Sequence, residues 1–171
     1  MALLSLPPHK EAPKGIGPDV VRLLVGVGGP LEWAAEASWP LHRAIVELSG
    51  SVRPGVLLPK KLRVTPRAGV GFHVEGVEAA FHELARCGEL ALVGEDGFSS
   101  WRVHPDALQS YRRLVMRVPA DDAAVLYRAG RRWAALASTS LKKLRMASIS
   151  SGSASRSSTP ILRQPAAPGR Q

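Results

Sequence analysis

Several groups of residues in the 171-residue chain carry the types that catalysis needs without its spacing. His82-Glu83-Leu84-Ala85-Arg86 opens as a zinc-hydrolase helix would, but Arg86 occupies the second ligand position and a guanidinium does not hold zinc. Gly97-Phe98-Ser99-Ser100-Trp101 puts Trp101 where a nucleophile turn needs a small side chain. Gly26-Val27-Gly28-Gly29-Pro30-Leu31 begins like a dinucleotide loop, yet Leu31 replaces the third glycine and no βαβ unit follows. Ser140-Leu141-Lys142-Lys143 matches a serine–lysine pattern without its partner motifs. The histidines, His9, His42, His73, His82 and His104, fall at no ligand spacing, and His82 and Cys87 lie about 140° apart around a helix. The expectation is a protein with no catalytic residues, no metal and no cofactor, and nothing marks a small-molecule substrate.

Charge is what the residue types do supply. Lys and Arg number 23 against 14 Asp and Glu, a formal charge of +9, which points to anionic partners. The cations are grouped. Arg53, Lys60, Lys61, Arg63 and Arg67 stand in a stretch without acids. Arg112, Arg113 and Arg117 follow, and the last 49 residues carry nine basic side chains and no acid, among them Arg128, Arg131, Arg132, Lys142, Lys143 and Arg145. Residues 71–100 are the reverse, with one Arg against five Glu and one Asp. Glu75, Glu78, Glu83 and Glu89 make an acidic helix face there. A lone Cys87 excludes a disulfide framework and a multi-cysteine zinc module, suits a reducing cytoplasm, and is expected as a small buried apolar group. No apolar run approaches the roughly 20 residues of a membrane span, and the opening MALLSLPPHKE lacks a basic leader.

The elements that must position these charges follow from periodicity. Residues 1–30 read as an irregular arm, broken by Pro and Gly except for Val20 to Val27, a short strand or helix. LEWAAEAS, residues 31–38, consists of helix formers. Pro40 then starts a helix with Leu41, Ala44, Ile45 and Leu48 on one face, closed by Ser49-Gly50. Residues 52–74 read as extended chain, with Lys61, Arg63 and Thr65 alternating against Leu62 and Val64. Val77, Ala80, Phe81, Leu84 and Ala85 mark a helix ended by Gly88, and Asp96-Gly97 turns a hairpin between residues 90–93 and 98–103. Pro105-Asp106 opens a helix with Leu108, Tyr111 and Leu114 or Val115 on one side. Residues 119–146 form a basic amphipathic helix with the stripe Val125, Ala129, Trp133, Leu136, Ser140 and Leu144. Residues 147–171, rich in Ser and Pro and without aromatics, read as a disordered basic tail. The four tryptophans are expected to fill core and inter-element gaps.

The stretch VEAAFHELARCGELALVGEDGFSSWRVH, an apolar-faced helix, a glycine stop and a short hairpin, resembles the winged-helix variant of the helix-turn-helix over roughly residues 40–118. The fold class expected is mainly α with a small β-hairpin, an α+β protein with a winged-helix-like domain at 31–118. The resemblance implies DNA binding through helix 76–87 and its wing. The acidic character of both elements moves the expected phosphate contacts to the basic segments on either side. The resulting expectation is a non-catalytic, cytoplasmic DNA-binding protein in transcription or replication control. The alternative is an adaptor whose Glu75, Glu78, Glu83 and Glu89 face docks a protein partner or the basic region of a second copy. A membrane surface ranks below both.

Overall fold

The computed structural model describes residues 15–51, 57–59, 61–69, 71–95 and 97–152. Among the described residues, five α-helices and two small antiparallel sheets make an α+β fold, as the patterning predicts. Helix α1 (Pro18–Gly26) begins at a proline tolerated in its first turn and buries Val20, Val21, Leu23, Leu24 and Val25. It settles the arm's ambiguous run as a helix and makes that part of the arm core.

LEWAAEAS corrects its expectation. It forms strand β1 (Glu32–Ala34) and a single 3-10 turn at Ala35–Ala37 instead of a helix. Helix propensity differs by only a few tenths of a kcal/mol per residue, and pairing outweighs it: Trp33 stands opposite Trp101 on one side and meets the Trp133 ring at 5.0 Å. Helix α2 (Trp39–Ser49) and helix α3 (Val77–Arg86) occur where periodicity predicts them, and both bury their expected apolar faces. Between them the extended segment is two strands, β2 (Val64–Arg67) and β3 (Gly71–Val74), paired as a ribbon. Strands β4 (Leu90–Glu95) and β5 (Phe98–Val103) form the predicted hairpin, and β1 adds to it in the order β1-β5-β4.

Helix α4 (Pro105–Val115) crosses α1 closely enough that a Cβ on Gly26 would sit 2.7 Å from the Tyr111 carbonyl oxygen. Helix α5 (Ala120–Gly152) has 33 residues, about 50 Å at 1.5 Å rise each. It lies across α2, α1 and β1. The predicted stripe holds at Ala129 and Trp133 but drifts elsewhere. Leu126, Ala137 and Leu141 are the buried residues, because Leu141 fits beside Ala34 and Phe98. Residues 147–152, expected as tail, continue the helix; residues 153–171, with residues 1–14, lie outside the described ones.

The core centres where β1, α3, β5 and α5 meet. Trp33, Phe81, Trp101 and Trp133 make a chain of tilted ring pairs with centroids 5.0–5.6 Å apart, each worth about 0.5–1.5 kcal/mol beyond its buried area. Among the described residues no helix is long and apolar enough to cross a membrane.

Candidate nucleic-acid interface

Helix α5 collects cations because its core stripe leaves the opposite side unpaired with protein. Arg128, Arg131 and Lys142 lie about 140–160° around the helix from that stripe. All three are exposed, none has an acidic partner among the described residues, and no acid follows Asp122 anywhere in the sequence. Arg131 rests over the Tyr127 ring at 5.6 Å, which steadies its guanidinium in solvent. Between the two cationic ends, Ala135, Ser138 and Thr139 present small side chains on the same side.

The other cations of α5 are on its flanks. Arg132 is tied to Glu47 at 3.1 Å, and Glu47 also takes Arg43 at 3.3 Å. Arg145 reaches Glu32 at 3.1 Å, where Arg102 and Ser100 also converge. Those donors hold the Glu32 carboxyl below the usual range against the opposing effect of burial. Lys143 is exposed beside Lys142. Arg112, Arg113 and Arg117 are exposed at and just beyond the end of α4, a separate group.

Arg67 is on the ribbon, and Lys61 and Arg63 lie just before β2, with Arg63 3.6 Å from Glu75; Arg53 and Lys60 lie outside the described residues. The ribbon packs on the His42 side of α2 and α5 on its Glu47 and Leu48 side. Glu47 and Leu48 lie about 140° and 120° from His42 in opposite senses, so the basic segments form two faces on nearly opposite sides of one helix and not a single sheet of charge.

Three of the four glutamates of the acidic face are occupied within the chain. Glu75 faces Arg63. Glu89 accepts two hydrogen bonds from Arg22, both at 2.8 Å, which holds its carboxyl below the usual range. Glu78 lies 3.8 Å from His42 Nε2 and 3.9 Å from His73 Nδ1. Glu83 alone of the four points into solvent without a partner among the described residues. Cys87 is exposed, contrary to expectation, because it follows the last turn of α3 on its solvent side.

His42, His73 and Glu78 are a group that spacing could not reveal, since the two histidines stand on α2 and β3. Their ligand atoms fall within 4.8 Å of one another, close enough to raise the question of a metal. Hydrogen bonding answers it. His42 is 3% exposed, and its Nδ1 accepts the Val74 backbone N–H at 2.9 Å. A neutral ring that accepts at Nδ1 carries its proton on Nε2, the atom facing Glu78, and a protonated nitrogen has no lone pair for a metal. The His42–Val74 hydrogen bond therefore ties α2 to the ribbon, with His73 and Glu78 packed beside it.

Comparison of the chain with protein-family models, with curated proteins and with solved structures finds no match in any of the three.

Proposed function

We propose that the chain is a non-catalytic DNA-binding protein with a regulatory or maintenance role in the cytoplasm, and that the outward side of α5 is its main phosphate-binding surface. In this reading α2, α3 and the β4–β5 hairpin form a winged-helix-like scaffold, with β1 joining the wing to the core. The contact itself has moved off α3, whose glutamates are spent on internal partners or repel phosphate.

The observation that carries the reading is the unpaired cation pattern of α5. Arg131 and Lys142 are separated by about 16 Å along the axis, with small residues between them. A major groove is about 12 Å wide, so the two ends can meet phosphates on its two walls while the small residues allow close approach. Such contacts position a duplex and carry little sequence information.

A gel-shift salt series on the full chain tests this. Affinity should fall log-linearly with salt, and reversing Arg128, Arg131 and Lys142 to Glu should lower the slope by about 3, near 0.9 per phosphate contact. The reading fails if duplex is not retained at low salt, or if the triple variant binds as the natural chain does while remaining folded.

A further inference from the structure

We infer that the β2–β3 ribbon is a wedge that kinks duplex DNA, inserting Pro66 and Phe72 at a base step from the minor groove. This rests on the α5 reading above and adds a second, mechanically different contact.

The ribbon is stiff at its base and bare at its outer half. At the base, Val74 is fully buried, its N–H is held by His42, Glu75 N–H donates to the Arg63 carbonyl at 3.0 Å, and Ile16 N–H donates to the Glu75 carbonyl at 3.2 Å. Beyond that, Thr65, Pro66, Arg67, Gly71 and Phe72 are all exposed. The register sets Pro66 directly opposite Phe72, so the two share one side of the ribbon and form one apolar knob. Phe72 is 47% exposed, an uncommon position for a phenyl ring on a rigid element.

Charge decides the occupant. The sequence from residue 48 to residue 74 contains no acid, and Arg67, next to Pro66 in β2, is exposed without an acidic partner among the described residues. The sequence at the turn of the other hairpin, Glu95-Asp96, has the opposite sign. Two apolar side chains are far too little for the core of a protein interface, which takes about 800 Å² from each partner. They do match a single base step, where Phe and Pro serve as wedges that unstack the duplex.

Placement supplies the reason to bend. The ribbon and α5 pack on nearly opposite sides of α2, and the α5 cations face away from that helix, so no straight duplex meets both cationic faces. Unstacking one step is offset by the added phosphate contacts.

The test measures bending separately from binding. The full chain is added to a duplex of about 30 base pairs labelled at its ends for energy transfer, with a TA step or a stiff A-tract at the centre. The expected result is a bend of about 20° or more with the natural chain and a preference for the TA duplex. Phe72→Ala should keep affinity within about threefold yet lose both the bend and the preference, and Phe72→Leu should restore them. Because Phe72 is exposed, unchanged thermal unfolding will confirm that these variants fold. Binding without bending overturns the wedge and leaves α5 standing, as does a Phe72→Ala variant that bends DNA normally. Tighter binding to single strands that depends on Phe72 replaces the wedge with base stacking. Absence of any duplex binding removes both readings.

Discussion

Changing His42 to Asn should remove most of the acid sensitivity of the fold between pH 7 and 5 while sparing the bond that seats the ribbon. An Asn amide oxygen falls where His42 Nδ1 stands and can accept the Val74 N–H, but it does not titrate. In the natural chain a second proton must enter at Nδ1, because Nε2 already carries one, and it would then point at the Val74 N–H and break the bond. Burial pushes the His42 pKa below its ordinary 6.5; Glu78 opposes that shift, and His73 and Arg67 reinforce it. As pH falls, the unfolded chain therefore takes up this proton before the folded one. The His42 contribution is complete above about 6.5 and declines as pH drops below it, by at most about 1.4 kcal/mol per pH unit. His42→Leu, which leaves the buried N–H without an acceptor, should cost about 1–3 kcal/mol at pH 7.5. His42→Asn should cost less. Urea unfolding followed by tryptophan fluorescence at pH 7.5, 6.5, 5.5 and 5.0 reads both effects. Parallel loss of stability in the natural chain and the Asn variant would refute the assignment of the proton to Nδ1.

Two further substitutions probe the packing and the ion pairs. Gly130→Ala should destabilise the protein by up to about 2 kcal/mol, although alanine gains about 1 kcal/mol in helix propensity: its Cβ would meet Val27 Cγ2 at 2.7 Å and the Leu24 carbonyl oxygen at 2.8 Å, and such overpacking costs about 1–3 kcal/mol. A shifted urea midpoint checks it. Glu89→Gln should lower Tm by about 2–4 °C at pH 7 by breaking the paired bonds from Arg22. Because that carboxyl is depressed in the folded chain, its contribution is present above about 4.5 and lost as pH falls through the folded value, so the gap between variant and natural chain should close in acid, as calorimetry would show.

Local patterns made α2, α3 and the β4–β5 hairpin legible, because each is specified by its own residues: one apolar face at helical spacing, a glycine stop, an Asp-Gly turn. What depended on partners was not. Trp33 belongs to a strand only because Trp101 and Trp133 flank it, and nothing within residues 31–38 reports that. The alternation through Lys61 to Thr65 pointed to a strand, which begins only at Val64, but not to its return, which reverses at Gly69 and Gly71 with φ of 79° and 95°. On α5 the choices Val125 or Leu126, and Leu136 or Ala137, both satisfy a 3.6-residue period, and the neighbours decide. The cations of the candidate surface were visible by type. Which of them the fold would neutralise was not, since Arg132 and Arg145 find acids 85 and 113 residues away. The His42, His73 and Glu78 group shares that difficulty.

The meeting of Trp33 with Trp133 also bears on how the molecule is made. A ribosome delivers β1 early, but the side chains that cover it, from Trp133 to Leu141, arrive a hundred residues later. Until then the side of the strand and of its indole that α5 covers is bare, and the nascent polypeptide is vulnerable to association with its neighbours. Chains terminated ahead of that segment should collect in the insoluble fraction, and the helix proposed to hold phosphates is also the one whose arrival completes folding.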